Sequence, residues 1–97
     1  MDRVFRGKRT TDGGMHVTMN DKPLTIRTDL VRHADTQSQL ALSILAAAAT
    51  DETAKEHYQL FQKHILLRLP DEWEMTDAQI ASFVMLYCVG SKLIHPF

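Results

Sequence analysis

Carboxylates are the side chains of this sequence whose types and spacing could carry chemistry. Residues 50–80 hold seven acids against three bases, so this part of the chain is locally acidic. The acids form two groups, Asp51, Glu52 and Glu56, and then Asp71, Glu72, Glu74 and Asp77 around the single tryptophan, Trp73. Spaced carboxylates can imitate the phosphates of DNA and so bind the Lys and Arg residues of a DNA-binding protein. We predict that these eight residues form a partner-binding surface. The sequence leaves open the alternative that they only begin helices and keep the surface soluble.

Other catalytic or metal-binding constellations are missing from the sequence. The five histidines form no HExxH pattern, and His57 and His64, seven positions apart, would lie about 10 Å apart on a helix. That distance is too long for both to bind one metal ion. The single cysteine, Cys88, lies in an apolar stretch, where burial raises a thiol pKa and favours a core role. We therefore expect no enzyme activity, no metal and no cofactor.

A basic segment at the start of the chain gives a second candidate surface. Arg3, Arg6, Lys8 and Arg9 would lie on one strand, with Arg6 and Lys8 on the same face. Such a strand could bind nucleic acid, although few aromatic rings lie nearby for base stacking.

Strands are predicted in the first third of the chain. "RVFRGKR" and "MHVTMN" are β-prone and flank "TTDGG", in which Asp-Gly favours a hairpin turn. "NDKP" predicts a second turn, and "LTIRT" a short third strand.

Helices are predicted after residue 36, where the apolar spacing changes from two residues to three or four. Thr36 or Ser38 is expected to cap the first helix, and Thr53 with Glu56 fits a capping box for the second, which Pro70 ends. Thr76 with Gln79 predicts the cap of the third helix. The apolar positions of the three helices are Leu40, Ala41, Ile44, Leu45 and Ala48; Ala54, Tyr58, Phe61, Ile65 and Leu69; and Ile80, Phe83, Val84, Tyr87 and Cys88.

These elements predict one α+β domain over residues 1–97, with a small three-stranded antiparallel sheet packed against three α-helices. Residues 1–30 would form the sheet, residues 36–90 the helices, with Gly90 as the stop of the third, and residues 91–97 a tail. No signal peptide or membrane span is evident, so we expect a cytoplasmic protein, either a monomer or a homodimer.

The strings "FRGKR", "QLALSIL" and the sequence between them resemble a small domain family of unknown function that is common in phages and prophages, over roughly residues 4–80. The resemblance implies a non-enzymatic phage or prophage protein that acts in the cytoplasm of a host bacterium. Members of the family carry an aromatic and glycine-rich loop before the "QLAL" helix, and "DTQSQ" replaces that loop here.

Together, the resemblance and the acidic half favour an anti-CRISPR-like inhibitor. Its DNA-mimicking face would block DNA binding by a CRISPR surveillance complex of the Cascade or Csy type, or by another defence nucleoprotein complex. The alternatives are a nucleic-acid-binding accessory protein that uses the basic sheet, and an oligomeric structural module that uses the third helix as its interface.

Overall fold

In the computed structural model, which describes residues 3–86, a four-stranded antiparallel sheet packs one face against three α-helices. The strands are β1 (Val4–Arg9), β2 (Met15–Met19), β3 (Lys22–Pro23) and β4 (Glu72–Thr76). The helices are α1 (Thr36–Ala48), α2 (Asp51–His64) and α3 (Asp77–Val84), and a short 3-10 turn, Leu66–Arg68, follows α2. The predicted α+β class is confirmed, but the sheet has one more strand than predicted.

The predicted hairpin joins β1 to β2. The Thr10 N–H donates to the Gly14 carbonyl at 2.9 Å, which closes the turn. Gly13 has a φ of 89°, a left-handed conformation that a residue without Cβ adopts at little cost.

The predicted third strand, "LTIRT", is wrong. Asn20 and Asp21 both have positive φ angles, 52° and 68°, as a two-residue hairpin turn requires. This tight turn places Lys22 directly opposite Met19. The third strand therefore consists of Lys22 and Pro23, the last two residues of "NDKP". Residues 24–28 have no regular secondary structure.

The fourth strand lies inside the acidic segment, where the sequence predicted only a helix start. Glu72 and Glu74 point to solvent, whereas Trp73 and Met75 are buried, so the segment alternates with the two-residue period of a strand. The register pairs Val4 with Thr76 and Lys8 with Glu72, which places β4 beside β1. The region predicted as three helices therefore contains an edge strand of the sheet.

The helix starts differ in detail from the prediction. Asp35, rather than Thr36 or Ser38, caps α1, and its side chain accepts a hydrogen bond from the Ser38 N–H at 2.7 Å. Thr50 caps α2 by accepting from the Thr53 N–H at 3.1 Å, so the predicted pairing of Thr53 with Glu56 is wrong.

The start of α3 is confirmed, since both reciprocal hydrogen bonds of the Thr76–Gln79 capping box are present. Predictions for Tyr87, Cys88, Gly90 and the tail at 91–97 lie outside the described residues.

The core lies between the inner face of the sheet and the helices. Its fully buried side chains include Phe5 from β1, Leu42, Ile44 and Leu45 from α1, and Ile80 from α3. The predicted stripe of α2 is confirmed at Ala54, Phe61 and Ile65, which are buried in the same cluster.

Candidate functional site

The outer face of the sheet carries a ladder of ion pairs between β1 and β4. The antiparallel register places Arg6 opposite Glu74 and Lys8 opposite Glu72. Arg6 Nε lies 2.6 Å from Glu74 Oε1, and Lys8 Nζ lies 3.6 Å from Glu72 Oε1. Opposite charges directly across two strands stabilise their pairing.

Asp21 adds a further carboxylate to this ladder, because Arg6 also binds it at 2.7 Å. Arg9 and Asp71 form a separate pair, with Arg9 Nε 3.2 Å from Asp71 Oδ1, because Arg9 alternates with Arg6 and Lys8 along β1 and lies on the side of the apolar cavity. The hydrogen bond to Glu74, followed by the charges of Glu74 and Asp21, raises the pKa of Arg6. These groups are largely exposed, so their attraction is weakened by water and by salt.

The ladder nearly balances the charge of the sheet face. Asp21, Glu72 and Glu74 each lie beside one of two cations, Arg6 and Lys8. The acidic segment and the basic segment of the sequence, predicted as two separate surfaces, thus meet on one face and offset each other. A DNA-mimicking face needs an uninterrupted row of carboxylates, which this arrangement does not supply.

The predicted carboxylates of α2 lie in a different environment. Asp51 and Asp29 both bind the Arg27 guanidinium, at 3.1 Å and 2.8 Å. The hydrogen bond from Arg27 lowers the pKa of Asp29 to about 2. Glu52 and Glu56 are exposed, and Glu56 Oε2 lies 3.5 Å from His57 Nε2.

Asp77 is the first residue of α3, and its carboxylate binds the backbone of that helix. Its side chain accepts a hydrogen bond from the Ala78 N–H at 2.9 Å, at the positive end of α3. The structure therefore divides the predicted carboxylates among the sheet face, the Arg9 and Arg27 pairs, the exposed side of α2 and the start of α3. Their partner-binding role stays a prediction.

Trp73, one of the residues predicted to bind a partner, is 8% exposed and belongs to the core. It lies opposite Gly7, and a Cβ at that position would meet the indole at 2.1–2.3 Å. The glycine therefore lets the ring cross β1, and the indole Nε1 donates to Met15 Sδ at 3.2 Å on β2. The ring is thus packed within the fold, and the part of Trp73 in partner binding stays a prediction.

An apolar cavity of about 130 Å³ was missed by sequence reasoning. It opens between the β1–β2 turn, the loop after β3, the start of α1 and the 3-10 turn. Its lining consists of Arg9, Gly13, Gly14, Met15, Ile26, Thr36, Gln37, Leu40, Leu66 and Leu67. Thr36 and Gln37 belong to the "DTQSQ" segment.

Large apolar side chains stand exposed at this cavity. Ile26 is 44% exposed and Leu67 is 55% exposed, whereas Leu40 and Leu66 are buried beside them. Leu66 is 4% exposed and its neighbour Leu67 55% exposed, a difference that the sequence did not indicate. Ile26 gave no signal either, since it was assigned to a strand.

Another concavity is shallow and polar. It measures about 530 Å³ and lies on the outer face of the sheet, where Arg6, Lys8, His16, Thr18, Glu72 and Glu74 line it. Its charged groups already bind one another, which leaves few free partners for a small charged ligand.

Two functional features are absent from the part of the chain that the structure describes. Within residues 3–86, no group of three or more His, Cys, Asp or Glu side chains could hold a metal ion. Over the same range, no helix has the length and apolar character that crossing a membrane requires.

Comparison with known proteins identifies the family but no activity. A family model described as a family of unknown function, DUF6166, matches residues 5–86, slightly beyond the segment on which the resemblance rests. No curated protein and no solved structure matches the chain. Apart from Val4, the matched residues include the four strands and three helices of residues 3–86, and we conclude that the chain belongs to the DUF6166 family.

Proposed function

We propose that this protein is a non-enzymatic binding protein that holds a protein partner at its apolar cavity. The observation that supports this function is that Ile26 and Leu67, two of the five exposed large apolar side chains among residues 3–86, lie at the same partly open cavity. Exposed apolar side chains that lie together around a cavity are typical of an interaction site, whereas single ones are ordinary surface.

The size of the cavity fits one side chain of a partner. A volume of about 130 Å³ is close to that of the roughly 150 Å³ apolar cavity that can hold a benzene ring. A Leu, Met or Phe side chain would fill it and cover Ile26 and Leu67. Full burial of one such apolar side chain stabilises a complex by about 1.5–3 kcal/mol.

The rim of the cavity is polar and fixed in position. Arg9 lies at the edge, where Asp71 and the Leu69 carbonyl accept hydrogen bonds from its guanidinium at 3.2 Å and 3.5 Å. Thr36 and Gln37 add hydroxyl and amide groups at the start of α1. An apolar centre inside a polar rim is the usual composition of a protein–protein interface.

A narrower form of this proposal is inhibition of a bacterial defence nucleoprotein complex, such as a CRISPR surveillance complex. The acids that favour it are those away from the ladder, Glu52 and Glu56 on the exposed side of α2. Ion pairing on the sheet face argues against the ladder acids as a DNA mimic. Phage origin and the identity of the target stay predictions.

Pull-down from a bacterial lysate with matched variants tests the proposal. The variant Ile26→Ser with Leu67→Ser removes the apolar mouth, and Leu60→Ser is the control, since Leu60 is 40% exposed and does not line the cavity. We expect a partner that the wild type and the control retain and that the double variant loses. Equal retention by all three proteins would contradict the cavity as the binding site.

Charge reversal tests the narrower form. Glu52→Lys with Glu56→Lys is the suitable variant, because Lys at 72 or 74 would face Lys8 or Arg6 and weaken the sheet itself. If a nucleoprotein partner remains bound to this variant, the acids of α2 are not its binding site.

A further inference from the structure

The free edge of β4 is a second surface whose chemistry the fold defines. β4 lies at the end of the strand order β3-β2-β1-β4, so only one of its edges is paired within the described residues. The Arg9 N–H donates to the Asp71 carbonyl at 2.7 Å, and the Asp77 N–H donates to the Arg3 carbonyl at 2.9 Å. These two bonds fix which residues of β4 face β1.

Hydrogen-bonded pairs recur at every second residue of an antiparallel ladder. Since positions 71 and 77 both bond to β1, the odd-numbered residues Trp73 and Met75 also direct their backbone groups toward it. The N–H and C=O groups of Glu72 and Glu74 must therefore point away from the sheet. Within residues 3–86, none of these four groups has a hydrogen-bond partner.

We infer that this edge takes an extended segment of a partner protein as a fifth strand, with Lys or Arg at alternate positions. A strand placed there would bond to the backbone of Glu72 and Glu74. Every second side chain of the added strand would lie on the outer face, next to the two glutamates. Their ion pairs with Lys8 and Arg6 use Oε1, and among residues 3–86 neither Oε2 receives a hydrogen bond.

A second copy of this chain is a poor occupant of the edge. Antiparallel pairing of β4 with itself would place Glu74 opposite Glu74, or Glu72 opposite Glu74, of the two copies. Like charges in direct cross-strand contact destabilise pairing, and charged edge strands commonly prevent self-association in this way. The same two carboxylates that oppose self-pairing favour a basic strand.

The edge and the apolar cavity share no lining residue, so this inference does not depend on the proposed function. A substitution that abolishes partner binding at the cavity leaves the edge of β4 intact, and a substitution in β4 leaves the cavity lining intact.

Amide hydrogen exchange on the full chain tests whether the edge is open. Glu72 and Glu74 amides are expected to exchange at least tenfold faster than those of Trp73 and Met75, because only the latter bond to β1. If the Glu72 and Glu74 amides are as protected as their neighbours, the edge is covered and the inference is overturned.

Peptide titration followed by NMR tests the occupant. The probe is a blocked heptapeptide, TKVKVKT, which presents lysines on one face and valines on the other. We expect it to shift the Glu72 and Glu74 amide signals, and we expect N-methylation of its alternate edge-facing amides to weaken binding at least tenfold. Equal affinity of the N-methylated peptide would show ion pairing without strand addition and would overturn the inference.

Two matched controls complete the test. The peptide TEVEVET should bind at least tenfold more weakly than TKVKVKT, and equal binding would refute the preference for a basic segment. The variant Glu72→Pro removes an outward N–H and leaves the bonds to β1, so it should weaken TKVKVKT binding more than Glu72→Gln does. If Glu72→Pro does not fold, the N-methylated peptide decides the question alone.

Discussion

The outer face of the sheet and the apolar cavity differ in how far their side chains satisfy one another. On the sheet face, each of three carboxylates, Asp21, Glu72 and Glu74, lies within 3.6 Å of a cation of the same chain. At the cavity, Ile26 and Leu67 remain exposed beside space for another side chain. Among residues 3–86, the charged face therefore offers a partner mainly the unpaired backbone edge of β4, whereas the cavity offers apolar side chains that nothing in this range covers.

The largest predicted effect concerns Gly7, which supports both regions. Gly7→Ala places a Cβ within 2.1–2.3 Å of the Trp73 indole, whose Nε1 reaches Met15 at the cavity. Displacing the ring should lower the free energy of unfolding by about 3 kcal/mol, the upper end for overpacked cores. Urea denaturation of the wild type and the variant measures this change in the free energy of unfolding.

Gly14→Ala is the control for that variant. A Cβ at Gly14 meets Thr10 Oγ1 at 3.1 Å, at the end of a short exposed side chain that can move. Its loss of stability should be much smaller than that of Gly7→Ala. Equal losses would show that the contact between Gly7 and Trp73 is not what holds the sheet.

A smaller loss is expected when the ladder is broken. Glu74→Lys puts a second cation against Arg6, whereas Glu74→Gln only removes the ion pair. The thermal unfolding temperature should be highest for the wild type, lower for Glu74→Gln and lowest for Glu74→Lys. At 1 M salt, where the Debye length is about 3 Å, the gap between the variants should narrow. A gap that does not respond to salt would contradict an electrostatic ladder.

Acid pH should loosen the mouth of the cavity. The hydrogen bond from Arg27 lowers the pKa of Asp29 from its ordinary value of 3.8 to about 2, so the contribution of this pair to stability is complete above pH 4 and is lost as the pH falls toward 2. The Asp29→Asn variant should lose this part of the pH dependence. Since Arg27 adjoins Ile26, fluorescence of a probe attached at position 26 should report the same transition in the wild type.

The smallest effect on stability is expected at the cavity mouth itself. Ile26→Ser with Leu67→Ser removes exposed side chains and should change the free energy of unfolding by no more than about 0.5 kcal/mol for each substitution. Partner affinity should fall at least tenfold, because burial of one such side chain contributes at least about 1.4 kcal/mol. A large loss of stability would instead assign these residues to the fold.

Periodicity was sufficient to predict the hairpin, the helices and most of the core. Phe61 and Ile65 follow the helical spacing, and Thr76 with Gln79 marks the start of α3, because these signals depend on near neighbours in sequence. β4 was missed although Glu72 to Met75 alternate as a strand does. The acids there were read as a helix start, and no local pattern reveals that the partner strand lies at the other end of the chain.

The ion pairs of the sheet and the shape of the cavity could not be predicted from the sequence either, because both depend on contacts that no local pattern reveals. That Arg6 faces Glu74 depends on a pairing between residues 68 positions apart. The position of Ile26 depends on the tight turn at Asn20 and Asp21, which ends the sheet early and leaves the next segment as a loop.

Placement of β4 late in the chain also sets an order of assembly. The β1–β2 hairpin can close on its own, but Arg9 and its neighbour on the other side, Asp71, are 62 positions apart. Contacts between residues so far apart in sequence form slowly. During synthesis the second residue of each such contact also leaves the ribosome late. Until residues 72–76 emerge, Phe5 and Val17 lack the cover of Trp73 and Met75, and β1 has an open edge. Translation must therefore pass nearly the whole domain before any of it is stable, so a nascent chain halted before β4 would be a substrate for chaperones and proteases.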